Sequence, residues 1–258
     1  MTYQRGRQPQ PQQYPYPQQW QPQAPRVAPA VLAGVSAWRL LIVVFAFTGF
    51  GAVVSDVGLD GAMPGLSQQA SLLTGVVYLG LLAYPLFTGG RAHEPRSPWL
   101  RGALAVLLLL VGVTFLTLMG GDLGETWSLF EHLLTPLAVL ADWLFVGRNQ
   151  AATRWWHPLT WVAFPLAYLV YFVVADVGLY GGFLDPDDGD FALTILGFLF
   201  AVVAAGYLLY GAAKLKAAAA STPQGPPPPP PPSPYAQYPP PPYLRYPPPP
   251  PPQQYPPR

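Results

Sequence analysis

The chain has 258 residues, 51% of them hydrophobic and only 10% charged, with a net charge of +1 and no cysteine. A soluble domain carries about 25% charged residues, so the composition does not fit a soluble globular protein. It also offers no basic surface for nucleic acid, no disulfide and no cysteine-ligated metal. The 36 prolines are concentrated at the two ends, which leaves one apolar block between two biased tails.

Residues 1–32 are a Gln/Pro/Tyr-rich tract containing QPQPQQYPYPQQWQPQAPR. It lacks the aliphatic side chains needed to bury a core and is expected to be disordered, with polyproline II character. Six apolar runs follow within 33–216: Trp38–Val54, Ser71–Thr88, Trp99–Met119, Trp127–Val146, Pro158–Val174 and Phe191–Ala213. Each approaches the roughly 20 residues that cross about 30 Å of hydrocarbon. The expected fold is therefore all-α, a polytopic membrane protein with six transmembrane helices. Residues 217–258 form a second tail, with proline runs at Pro226–Pro232 and Pro247–Pro252 and tyrosines between them.

Six spans place the N-tail, the 89–98 and 147–157 loops and the C-tail on one side. All 13 basic residues fall on that side or at helix ends abutting it. The opposite loops hold Asp56, Asp60, Asp122, Glu125, Asp176, Asp185, Asp187, Asp188 and Asp190, and no base. The positive-inside rule then predicts that both termini are cytoplasmic in a multi-pass protein of the cell membrane. Pro85, Pro136 and Pro165 lie within spans and predict kinks whose freed carbonyls need other partners.

The fourth run, WSLFEHLLTPLAVLADWLFVGR, carries Glu131, His132 and Asp142. Ionisable groups inside a span mark functional candidates. His132 lies about six residues from the outer end, roughly 8–9 Å deep, and can act as a base, a proton relay or a ligand, or serve packing alone. Thr74 lies about four residues into the second run, which places it at a depth similar to His132. A hydroxyl there ordinarily bonds back to the carbonyl four residues earlier, at Ala70. To act as a nucleophile it needs a base in reach. Glu131 and Asp142, eleven residues apart, share a helix face; Asp142 is expected to pair with Arg101 or Arg148, and Glu131 to be interfacial. His93 and His157 fall in loops. The acidic stretch Asp185–Asp190 lacks the distal glutamate of a calcium loop, and neither a metal nor a cofactor is expected. The proline runs suit a polyproline-binding partner.

The whole order of tail, six spans and tail resembles a family of mainly actinobacterial six-span membrane proteins with proline-rich ends, on the segments RLLIVVFAF, EHLLTPLAVLADWLF, FPLAYLVYFV and GGFLDPDD. The core is also similar to the eukaryotic androgen-induced six-pass membrane proteins, which hydrolyse fatty acid esters of hydroxy fatty acids with a threonine and a histidine. Leu72-Leu73-Thr74 resembles the threonine motif there, His132 to Pro136 the histidine motif, and Gly181–Asp185 the loop motif, although its aromatic–proline pair is absent. The resemblance implies an intramembrane lipid ester hydrolase with Thr74 as nucleophile and His132 as base, acting on a lipid ester that enters from the bilayer. The alternative is a non-enzymatic scaffold or small-molecule carrier. A carrier needs a polar path through the bundle, and the span interiors offer few polar residues to line one.

Overall fold

The computed structural model describes residues 26–220, so the expected disorder of the tails and their polyproline-binding partner fall almost wholly outside the described residues. Among these residues the fold is all-helical, and six helices are long and apolar enough to cross a membrane. They are α1 (Pro29–Ala62), α2 (Leu66–Phe87), α3 (Trp99–Leu118), α4 (Thr126–Val146), α5 (His157–Val174) and α6 (Phe191–Ala220). Among the described residues the helical part runs from Pro29 to Ala220. Proline at the first helical position is pre-organised for a start, and Ala217–Ala220 are the strongest helix formers.

Three helices depart from regularity, each for a local reason. Near the end of α1, Gly58 takes φ +75°, a left-handed conformation that glycine adopts without steric cost. In α5, Pro165 removes a backbone donor and crowds the carbonyl of Trp161; the helix opens into a turn at Trp161–Val162. In α4, Pro136 does the same to the carbonyl of His132. The helix widens to a π-turn over Phe130–Leu134, and the Thr135 amide donates five residues back, to Phe130. A second π-turn closes α4 at Asp142–Val146.

Helix α3 is the centre of the bundle, with every residue from Arg101 to Leu108 buried. Gly112 brings it against α4: a Cβ there would stand 2.7 Å from the His132 carbonyl oxygen. Small residues allow this close approach of membrane helices. Trp143 and Trp161 pack edge to face, 5.7 Å apart, and join α4 to α5 in the core. Leu40, Val44, Leu79, Leu86, Phe145, Phe200 and Leu208 point outward and are exposed.

The two ends of the bundle differ in chemistry. At the basic end, Glu94 pairs with Arg101 at 2.9 Å and Arg39 at 3.5 Å, and accepts from the Arg148 and Asn149 amides at 2.7 Å. Arg39 also donates to the carbonyl of His93. Burial holds the His93 imidazole below its usual pKa, against the opposing pull of Glu94. Lys216 of α6 donates to the carbonyls of Leu144, Phe145 and Gly147. It thereby satisfies acceptors that the end of α4 leaves open. The acidic end carries Asp56, Asp60, Asp122, Glu125 and the 185–190 loop.

Candidate functional site

Two contacts fix how α2 lies against α4. Gln68 Nε2 donates to Glu131 Oε2 at 2.7 Å, and Tyr78 Oη donates to Asp142 Oδ2 at 3.0 Å. Ten residues separate the α2 partners and eleven the α4 partners, so the helices run parallel with nearly equal rise. The two contacts are roughly 15 Å apart along the axis. Ser67, Ser71, Thr74 and Tyr78 then share one face of α2, and Glu131, Thr135 and Asp142 one face of α4. All seven are buried. The expectation that the span interiors lack polar residues is corrected here: a polar seam runs along the α2–α4 contact. Its signal in the sequence was the repeat of polar side chains at intervals of four, three and four residues, which the mean hydropathy of the spans hides.

The same register sets the depths of Thr74 and His132. With Gln68 opposite Glu131 and Tyr78 opposite Asp142, Thr74 stands level with residues 137–138 of α4. It lies roughly 8 Å deeper than His132, not at the same level, because α2 begins at Leu66 rather than Ser71. Thr74 is fully buried, its Oγ1 has no hydrogen-bond partner, and the expected bond to the Ala70 carbonyl is not made. The structure does not join Thr74 and His132 by a hydrogen bond.

His132 instead turns its ring to α3. Its ring stacks on Phe115 of α3 at 3.7 Å and meets the edge of Trp127 at 5.7 Å. Nδ1 lies 3.2 Å from the Ser128 carbonyl. A carbonyl accepts only from a protonated nitrogen, so in the neutral imidazole this bond sets the tautomer and leaves the lone pair on Nε2. His132 forms part of the wall of an apolar cavity of about 230 Å³ at the acidic end of the bundle, lined also by Ser67, Gln68, Thr114, Tyr168 and Tyr180. One water needs roughly 10–15 Å³ of such space, so the cavity has room for a chain of atoms. Tyr180 accepts from the Leu66 amide at 3.0 Å, and burial raises its phenol pKa. Tyr168 donates to the Pro64 carbonyl at 2.8 Å. Tyr168 ties α5, and Tyr180 the loop that follows it, to the start of α2. Sequence reading assigned neither a role, although Tyr168 lies within the FPLAYLVYFV segment.

The two buried carboxylates of α4 have opposite surroundings. Asp142 is met by Arg101 at 2.7 Å, as one of its two expected partners, and by Tyr78. Glu131 is fully buried rather than interfacial. Ser67 and Ser71 of α2 meet it as hydrogen-bonding neighbours in addition to Gln68. The four ion pairs among the described residues all involve Glu94 or Asp142. On the α1 side Gly49 makes room, since a Cβ there would stand 2.6 Å from Glu131 Cγ. No group of three or more His, Cys, Asp or Glu side chains is placed to hold a metal ion among the described residues. No family model, curated protein or solved structure matches the chain.

Proposed function

We propose that this protein of six membrane-capable helices receives an acyl chain of a membrane lipid in the cavity beside His132, and that it hydrolyses a lipid ester there. The observation that carries the reading is the pairing of an apolar cavity with one imidazole whose Nε2 lone pair is left as a base. The resemblance to threonine hydrolases names Thr74 as the nucleophile. In that form, Thr74 Oγ1 attacks the ester carbonyl while His132 Nε2 takes the hydroxyl proton. The ester C–O bond then breaks, the proton passes to the leaving alkoxide, and water releases the acyl group from the threonine. The depth difference requires α2 to bring Thr74 toward the cavity before attack. Ser67 and Thr114, already on the cavity wall, are the competing hydroxyls. The same reading takes the basic end as cytoplasmic and the membrane as the cell membrane.

The test is labelling of the purified full chain in lipid nanodiscs by a fluorophosphonate, with the modified residue located by mass spectrometry. Labelling at Thr74 that falls about 10²–10⁴-fold in His132→Ala supports the hydrolase. Labelling at Ser67 or Thr114 moves the nucleophile. The unbonded, deeper position of Thr74 favours a second reading, a non-enzymatic lipid carrier. It is supported if a photoreactive fatty-acyl probe crosslinks to cavity residues while the fluorophosphonate leaves the protein unmodified.

A further inference from the structure

We propose that the His132 cavity selects lipid esters that carry no negative charge, such as an acylglycerol or a fatty alkyl ester. The inference rests on the acyl-chain part of the reading above, not on which hydroxyl is the nucleophile, and it adds the chemical class of the ligand. The wall offers the hydroxyls of Ser67, Thr114, Tyr168 and Tyr180, the Gln68 amide and the His132 imidazole. Among the described residues no lysine or arginine lines it. Several of the polar groups already hold protein partners. Ser67 Oγ donates to Gln68 Oε1 at 3.1 Å, Gln68 Nε2 to Glu131, and Tyr168 to the Pro64 carbonyl. Such groups can orient an ester by its dipoles, but they supply no positive charge to balance an anion.

The surroundings of the cavity add to this selection. Trp127, Leu179 and Leu184 of the wall lie two, three and one residues along the chain from Glu125, Asp176 and Asp185, and those three acidic residues are exposed. The buried arginines are at the other end of the bundle, held by Glu94 and Asp142. An anionic headgroup entering the cavity would lose its water without gaining a cation, and would approach these carboxylates. An uncharged ester loses only dipolar hydration, which hydroxyls and an imidazole can replace. An ester of a hydroxy fatty acid, joined through its hydroxyl, keeps a free carboxylate and falls on the disfavoured side. Hydrolysis adds water across the ester and yields an alcohol and a fatty acid. Once ionised, that acid meets the same repulsion, which favours its release.

The experiment is competition for crosslinking to the purified full chain in phosphatidylcholine nanodiscs, at low ionic strength and a pH of about 8, above the usual imidazole pKa. The probe is a diazirine-bearing fatty acid methyl ester. The competitors are monoolein and its phosphate monoester, lysophosphatidate, which share one acyl ester and differ in charge. Monoolein is expected to displace the probe from cavity residues at a concentration about tenfold lower than lysophosphatidate. Leu179→Arg puts a cation on the wall at an exposed position. It should strengthen lysophosphatidate competition about tenfold and leave monoolein unchanged. Equal competition by the two lipids overturns the inference and leaves the acyl-chain reading intact. A discrimination that Leu179→Arg does not alter overturns it too, because the difference then lies in how the lipids partition into the bilayer. If the probe crosslinks to no cavity residue, the acyl-chain reading itself falls, and the inference with it.

Discussion

Arg101 shows how one residue can hold one end of this bundle. Its guanidinium spans Asp142 of α4, Glu94 of the 88–98 loop and Asn149 of the next loop, at 2.7, 2.9 and 2.7 Å. The side chain is almost wholly buried and stands near the Trp143 ring, 5.8 Å from its centroid. Removing one partner of a buried ion pair leaves the other charge uncompensated, at a cost of about 3–5 kcal/mol. Arg101→Ala is therefore expected to lower stability by that amount in reversible detergent unfolding. Arg148→Ala should change it little, because that residue meets Glu94 through its backbone amide. Equal effects of the two would mean that the cluster acts through net charge rather than through these contacts.

At the scale of helices, α4 is shaped by proline and by glycine from its neighbours. Pro136 widens the turn that carries Glu131 and His132, and those two side chains then point to different partners, toward α2 and α3 respectively. Gly112 on α3 and Gly49 on α1 let the neighbouring backbones close on this turn. Backbone contact at Gly112 cannot be relieved by a rotamer change, so Gly112→Val is expected to destabilise by about 1–3 kcal/mol through overpacking. Gly80, also helical, has open space where its Cβ would be. Gly80→Ala should be neutral or stabilise by about 0.5–1 kcal/mol. Thermal unfolding of both variants in one detergent checks the contrast; similar losses at the two positions would refute the packing argument.

On the scale of the whole molecule, polarity is arranged as a bilayer demands. Large apolar side chains cover the outside, and the buried polar groups gather in the α2–α4 seam and at the basic end. The distribution of charge between the two ends gives a topology that can be measured directly, because the chain has no cysteine. Single cysteines at Asp60 and Asp187 should react with a membrane-impermeant maleimide on intact cells. Cysteines at Arg91 and Arg154 should react only after permeabilisation. All four positions are exposed in the fold, so a reversed or mixed pattern would disprove the assigned orientation rather than reflect burial.

Span number, the partition of charge and the ionisable side chains of the fourth span were legible from sequence, because they depend on composition and on distance along the chain. The Asp142–Arg101 pair was legible as one of two alternatives, since few cations can reach that depth. The depth of Thr74, the separation of Thr74 from His132 and the burial of Glu131 were not. Each depends on where α2 begins and on its register against α4, which Gln68–Glu131 and Tyr78–Asp142 set together. Sequence periodicity tells which residues share a face of one helix; only the packing of a second helix decides which face it meets and at what height.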